Sequence, residues 1–556
     1  MTRRSLGHRA PLLWVLVPLM AGLVAGRQQA LPLPPLALAC AAVLAALLTL
    51  GLAGRRLRTG AFAPGVVLAL FLSGAALYEL RRARLPDWDA LPPRELRATL
   101  EIDRTFPPRP GAKSLTGLGH LVATDAHLTE LVGQRVYFSL VRHPDEAPPL
   151  RTSQLALTGV LTTLPRLPAG DTFDGYLADQ GVNFKLTRAR LTGPVRAAGA
   201  YAKFCDAALR RFDALLEHGV EGYPAQVGVL RAMLLGQQQE LTPDQTTGFR
   251  QSGTMHLFSV SGLHIAVIAA AIQGLLLVTR LPATARIVCG GVLLWLYVDI
   301  TGGTPSAVRA FLMVMFIHAA LVLRRPGNPV AALVGSAVCV LLVQPLHLFS
   351  ASFQLSYAIV AALLLLGLPL GECWTEKTAQ FTVLPSVTWR WWHHLSDWCW
   401  RGLVGVVAIG AATSLVGLIS GVVIFKLLTP VALVANLVLI PLGSLVIIAG
   451  FLSLLGGLAG LGGVASLFNH ASVLLLQMAE WAVHRFGQLP GAFQAAEFTV
   501  DALGYPAFAG LLAVIGFGYA NGWAGKRGGF WPPFVFTALV LGAGVRWLSA
   551  PALPSP

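Results

Sequence analysis

Q-S-G-T-M-H-L-F-S-V-S-G-L-H-I-A-V-I-A-A-A-I-Q-G-L-L-L-V occupies residues 251–278. No acidic or strongly basic side chain interrupts it, and its apolar part, 256–279, matches the roughly 20 residues that cross a bilayer's hydrocarbon layer. Four polar residues sit in or beside that run: His256, Ser259, Ser261 and His264. Polar groups are costly in lipid, so they face a partner or water. A membrane span with a polar face is therefore the first reading, and the rest of the chain is tested against it.

Working outward, apolar runs of similar length recur at 11–26, 34–53 and 61–80, then at 286–302, 305–323, 329–345 and 351–371, and again at 403–425, 430–455, 462–486, 503–523 and 530–549. The run 462–486 is amphipathic and the weakest span among them. Only 12% of the 556 residues are charged, against about 25% in a soluble globular chain, and mean hydropathy is +0.66. The expected fold is mainly α, a polytopic transmembrane bundle of about 11–13 helices. A basic N-terminus before an apolar run resembles a signal peptide, but a second run follows at once, so it reads as an uncleaved anchor.

Residues 86–250 are too polar and proline-rich to span. LRATLEID (96–103), GLGHLVA (117–123), RVYFSLV (136–142), LALTGVLTTL (155–164) and NFKLTRARL (183–191) alternate as strands do. Five short strands in about 100 residues suggest a small OB-like barrel, with a small sandwich as the alternative. The expected organisation is N-terminal transmembrane helices at 1–85, the β-rich domain at 86–195, an amphipathic helical connector at 196–250, a channel-type domain at 251–456 and C-terminal helices at 457–556.

Net charge is +15, which fits cytoplasmic loops rich in Lys and Arg as well as a polyanionic partner. Arg3, Arg4 and Arg9 precede the first span, and Arg55, Arg56 and Arg58 follow the second, so both ends are expected in the cytoplasm. The β-rich domain then falls outside it. Later basic loops agree, whereas Arg81, Arg82 and Arg84 run against this orientation. Six cysteines include no C-x-x-C pair, so no zinc finger or thioredoxin-like motif is indicated.

Besides 251–265, three polar constellations interrupt apolar runs. In D-I-T-G-G-T-P-S-A-V-R (299–309) the turn brings Asp299 and Arg309 toward each other; they are expected to pair, the alternative being an Arg309 that meets anionic substrate on an aqueous path. In P-L-H-L-F-S-A-S-F-Q-L-S-Y (345–357), His347, Ser352, Gln354 and Ser356 punctuate the run, and either Phe353 and Gln354 line a pore or Gln354 bridges helices. Asn436, between Pro430 and Pro441, is expected to satisfy a carbonyl that a proline frees. For Ser261 and His264 a hydrogen bond along one helix face is expected, as for His256 and Ser259, and interhelical bonding is the bland alternative. W-R-W-W-H-H-L-S-D-W-C-W-R (389–401) reads as interfacial. No G-x-x-x-x-G-K-[ST] phosphate loop, H-E-x-x-H or G-x-S-x-G occurs, so ATP-driven transport, zinc hydrolysis and serine catalysis of those types gain no support, and neither a cofactor nor a metal is expected.

The succession of F-R-Q-S-G-T-M-H-L-F-S-V-S-G-L-H-I (249–265), G-G-T-P-S-A-V-R-A (302–310), P-L-H-L-F-S-A-S-F-Q-L-S-Y (345–357) and L-L-T-P-V-A-L-V-A-N-L-V-L-I-P-L (427–442) resembles the ComEC family of competence proteins. F-D-G-Y-L-A-D-Q-G-V (173–182) looks like the end of that family's soluble domain. The resemblance implies an inner-membrane channel that passes single-stranded DNA into the cytoplasm during natural transformation. It implies channel-lining or channel-shaping rather than catalytic roles for Ser261, Gly262, His264, Pro305, Arg309, Phe353, Gln354, Ser356 and Asn436. It also implies a periplasmic DNA receptor and a cytoplasmic helicase or motor as partners, and leaves room for a homo-oligomer. Longer family members carry a metallo-β-lactamase-like domain with a histidine cluster; none follows here, so a separate nuclease is expected. A membrane-embedded enzyme acting on a lipid or cell-wall substrate through His256, His264 and their serines, and a transporter of a non-DNA cargo, are the competing readings.

Overall fold

A computed structural model of the chain describes all residues except 1–9, 32, 55–58, 83–91, 107–113, 142–147, 166–167, 169–171, 194–195, 259, 382–387, 524–528 and 549–556. The chain divides into two compact units, one formed by Leu13–Arg211 with Val338–Ser350, the other by Met1–Leu12, Phe212–Ala337 and Ala351–Pro556.

The first unit opens with three apolar helices, α1 (Leu13–Arg27), α2 (Pro35–Gly54) and α3 (Thr59–Arg81). Gly22 of α1 lies against the Phe71 carbonyl of α3, and Gly74 of α3 against the Leu19 carbonyl of α1. A side chain at either position would meet backbone, so these glycines set the close approach of the two helices.

Five strands follow: β1 (Arg94–Phe106), β2 (Ser114–Thr124), β3 (Arg135–Val141), β4 (Gln154–Thr163) and β5 (Phe184–Leu191), with helix α4 (Phe173–Asp179) between the last two. They close into a barrel in the order β1-β2-β3-β5-β4. β1 is 13 residues long, enough to pair with β4 along Arg94–Glu101 and with β2 along Ala98–Phe106. β3 and β5 run parallel, and the other pairs antiparallel. Alternation sends Leu96, Leu100, Ile102, Leu121, Val136, Phe138, Leu155, Leu157, Phe184 and Leu186 into the core. All five strands stand where alternation predicted them, and closure removes the free edges that a small open sheet would expose.

Arginines at helix ends tie the barrel to the helices. Arg27 ends α1 and donates to Asp179 at 3.4 Å, and its guanidinium stacks 4.4 Å from the Phe349 ring. Arg82, just past α3, is buried and donates to the Val182 carbonyl at 3.1 Å and to Asn183 Oδ1 at 2.7 Å. Arg81 donates to the Val343 carbonyl.

The second unit contains the connector helices α6 (Pro224–Leu235) and α7 (Pro243–Gln251) and receives the end of α5 (Ala200–Glu217). Its bundle comprises α8 (Gly262–Leu277), α9 (Ala283–Ile300), α10 (Pro305–Val322), most of α11 (Pro329–Val343), α12 (Ala351–Ala362), α13 (Leu368–Lys377) and α14 (Trp391–Phe425). Strand β6 (Leu427–Leu428), α15 (Ala432–Leu458), α16 (Gly462–Gly487), strand β7 (Gln494–Phe498), α17 (Gly504–Ala520), α18 (Trp531–Gly544) and strand β8 (Val545–Trp547) complete it, and the three short strands form one antiparallel sheet.

Among the described residues seven helices are long and apolar enough to cross a membrane: Phe62–Arg81, Met255–Leu277, Ala283–Ile300, Pro305–Val322, Ala351–Lys377, Trp391–Phe425 and Ala432–Leu458. Shorter apolar helices occupy other predicted spans, including Leu13–Arg27, Pro329–Val343, Gly504–Ala520 and Trp531–Gly544. Two boundaries differ from expectation. The run predicted at 351–371 continues to Lys377 through a π-helical stretch, Leu363–Gly367, where Trp523 Nε1 donates to the Leu365 carbonyl at 2.8 Å. The span predicted from 403 starts earlier, because α14 begins at Trp391 and takes in most of the tryptophan-rich stretch, burying His393 and Asp397 and exposing Trp391 and Trp398. Amphipathic α16 is not among the helices apolar enough to span. Its Glu480 accepts from Gln226 and Gln245, and its Asn469 donates to the Leu215 and His218 carbonyls, so it clasps the connector.

Candidate functional site

The decisive stretch begins with a break. Gly253 has φ +69°, a left-handed conformation open to glycine, and a Cβ there would meet Ala432 and Thr429 beside α15. The rings of Phe249 and Phe258 stack with centroids 3.5 Å apart and close the loop over a buried Ser252–Thr254 hydroxyl contact of 2.7 Å. A single 3-10 turn, Met255–Leu257, carries His256. His256 is exposed. Ser259, and with it the His256–Ser259 pairing, lies outside the described residues.

Ser261 is the N-cap of α8 rather than part of its interior. The expected Ser261–His264 contact forms, but as a cap. The Ser261 backbone N–H donates to His264 Nδ1 at 3.3 Å, and the hydroxyl lies 2.7 Å from the same nitrogen. Because Nδ1 accepts, the neutral ring carries its proton on Nε2. That atom is buried without a hydrogen-bond partner among the described residues, the Leu257 carbonyl lying near the ring outside hydrogen-bond geometry.

Three contacts draw the constellations together. Ser306, in the first turn of α10, donates to the Val260 carbonyl at 2.8 Å. Gly262 faces Ala310 of α10. Arg309, one turn into α10, donates through Nη2 to the Ser352 carbonyl at 2.8 Å and to its hydroxyl at 2.9 Å. Pro305 takes the first turn of α10, where its missing N–H costs nothing. The turn after Asp299 and Val260 both close on Gly236. The starts of α8, α10 and α12 thus meet in one region, and Asn436 lies one turn along α15 from Ala432.

The expected Asp299–Arg309 pair does not form. Arg309 turns to α12 and takes Ser352, and Asp299, half-buried at the end of α9, makes other contacts. Arg309 is 1% exposed, and its Nε and Nη1 have no partner among the described residues. Phe353 is buried against Tyr357, ring centroids 4.4 Å apart, while Gln354 and Ser356 are half-buried. Asn436 does not meet a carbonyl freed by a proline: it makes no hydrogen bond among the described residues, and its Oδ1 is buried and unpaired.

The sequence profile described as "Competence protein" matches residues 233–521, more than half of the chain, and includes every residue of this region. The chain belongs to the competence protein family. ComE operon protein 3 of Bacillus subtilis (strain 168) is 31% identical over 145 residues, 26% of this chain and 18% of that protein. Competence protein ComA of Neisseria gonorrhoeae is 33% identical over 149 residues, 25% of this chain and 21% of that protein. An uncharacterized Escherichia coli (strain K12) protein, YcaI, is 24% identical over 244 residues, 41% and 29% of the two chains. The matched stretch covers less than a third of each relative's length. No solved structure matches.

In this competence protein, sequence reasoning missed three further polar groups of the bundle. Tyr297 of α9 is buried and donates to the Leu234 carbonyl at 2.6 Å. Gln273 Nε2 on α8 and His318 Nδ1 on α10 are buried without partners among the described residues. Each is a polar residue inside an apolar run, a signal present in the sequence but without a motif around it. Among the described residues no group of three or more His, Cys, Asp or Glu could hold a metal ion.

Proposed function

We propose that this competence protein is a channel of the cytoplasmic membrane that passes single-stranded DNA inward, with its barrel, of OB type, outside the cytoplasm. The observation that carries the reading is the set of buried polar atoms without hydrogen-bond partners among the described residues, on Arg309, His264, Gln273, His318 and Asn436, inside helices apolar enough to span. In lipid-facing or dry positions such atoms would be strongly unfavourable, whereas water and a polar cargo satisfy them. Family membership and the name "Competence protein ComA" of a relative supply the cargo class. The barrel suits the early part of the path. Phe106, Tyr137, Phe173 and Tyr176 form a cluster with centroids 5.3–6.4 Å apart, Phe173 and Tyr176 exposed and the other two half-buried beneath them, a stacking platform of the kind that accepts bases without sequence preference. A DNA receptor, a nuclease and a cytoplasmic motor complete the reading as separate proteins.

The 2.7 Å Ser261–His264 contact is the feature that a membrane-embedded hydrolase would use. It serves that role poorly, because Nδ1 already receives the Ser261 backbone N–H, and a general base needs its lone pair for the nucleophile alone.

The test is deletion in the native host, with labelled transforming DNA followed to the cytosol. The channel reading expects surface binding with loss of cytosolic single strands; unchanged entry in cells shown to be competent removes it.

A further inference from the structure

Other arginines among the described residues meet carboxylates of the protein. Arg231 meets Asp213 at 2.7 Å and Glu217 at 2.8 Å, and Arg401 meets Asp397 at 2.6 Å. Arg309 is different. It is almost fully buried in an apolar helix, yet no carboxylate lies within ion-pair distance of it among the described residues. A guanidinium does not shed its charge at ordinary pH, and a buried charge without a counter-ion is costly, so an arriving anion would relieve that cost.

We infer that Arg309, together with the Ser352 hydroxyl, is a phosphodiester-binding station on the path of the translocating strand, an inference that rests on the single-stranded DNA reading above. Three features support that ligand chemistry. Nε and Nη1, which carry three of the five guanidinium N–H groups, are free of protein acceptors among the described residues. Ser352, which holds the remaining nitrogen, is exposed, so the charge lies one residue beneath accessible surface. Arg309 also stands one turn from the N-terminus of α10, where the helix dipole adds positive potential. A phosphate oxygen matches these donors in charge and in hydrogen-bonding capacity. The missing counter-ion has its own logic: a fixed carboxylate would compete with each arriving phosphate, and a lone cation binds each one without holding it. Contacts to phosphate carry no sequence information, so the station is indifferent to base identity.

The test uses the full chain in lipid nanodiscs and fluorescent oligo(dT), with affinity measured across a salt series. Arg309→Gln is expected to weaken binding about tenfold at low salt and to flatten the slope of log affinity against log salt by about 0.7, the loss of one phosphate contact on a single strand. The effect should be equal for a mixed-sequence oligonucleotide, and thermal stability should not fall. Arg309→Lys should keep the slope. Ser352→Ala, at an exposed position, should weaken binding less, and it tests the site even if Arg309→Gln does not fold. Wild-type binding with an unchanged salt slope in Arg309→Gln overturns the station while leaving the DNA reading intact. A wild-type protein that binds no oligonucleotide, from a host whose deletion strain loses uptake, overturns it as well. Normal uptake by the deletion strain brings down the underlying reading instead.

Discussion

His264 has two separable roles at the start of α8. Its Nδ1 takes the Ser261 backbone N–H, the reciprocal arm of a capping box, while its Nε2 is buried without a hydrogen-bond partner among the described residues. Gln is a usual residue at that capping position. His264→Gln is therefore expected to keep thermal stability within about 0.5 kcal/mol of wild type, while His264→Ala loses about 1 kcal/mol. Chemical or thermal unfolding in detergent measures both. If uptake fails in both variants, the ring's inward nitrogen is what matters; if only His264→Ala fails, the cap is. The spacing of three between Ser261 and His264 was legible in the sequence, but the same spacing serves a helix face and an N-cap, and only the extended backbone of Ser261 decides between them. Likewise the Gly-Gly-Thr-Pro turn correctly placed Arg309 near the start of a helix. It could not tell that the guanidinium would reach 43 positions ahead to Ser352 rather than ten back to Asp299, because that choice belongs to how α10 and α12 pack.

At the scale of elements, alternation in the barrel strands and the apolar runs of the bundle were readable because each has a period or a length that solvent enforces. Ends were less so. The start of α14 at Trp391 was hidden by polar residues that the helix buries on one side, His393 and Asp397. The clasp by α16 was also hidden, since a stripe of polar residues says that a helix has a polar partner but not which one. Asn469 is fully buried and donates to the Leu215 and His218 carbonyls at the end of α5. Asn469→Leu should leave those acceptors unmet and cost about 1–3 kcal/mol, with faster amide hydrogen exchange at 213–223. Exchange unchanged there would mean that the carbonyls find other donors.

For the whole molecule, charge was the least reliable guide. Arg81 and Arg82 argued against the orientation that the other loops favoured, and Arg82 turns out to be buried against Val182 and Asn183. A basic residue bonded inside the protein no longer reports which side of a membrane it faces, so its weight in that count should be small. Orientation is then a direct prediction. A cysteine replacing exposed His127, between β2 and β3, in a background lacking the native cysteines should react with a membrane-impermeant maleimide in intact spheroplasts. Reaction only after lysis would reverse the orientation.

The same latch carries a pH dependence. Burial pushes the Asp179 carboxyl up to about 6, against the lowering effect of Arg27 and Arg82. The folded chain therefore holds that proton more tightly than the unfolded chain, whose carboxyl titrates near 3.8. The resulting stabilisation is full below that value and is lost as pH rises through 6. Melting temperature should show this component between pH 4 and 6.5, and Asp179→Asn should remove it; an identical profile in the variant would assign the component to another group.

Arg27 and Arg82 make the barrel something other than a bead on a string. They clamp the α4–β5 corner, from Asp179 to Asn183, to the ends of both α1 and α3, two helices already locked backbone to backbone at Gly22 and Gly74. A pull on anything the barrel grips is not absorbed by slack linker; it arrives at the helix pair as a torque about the clamp, with the barrel's width as the lever arm.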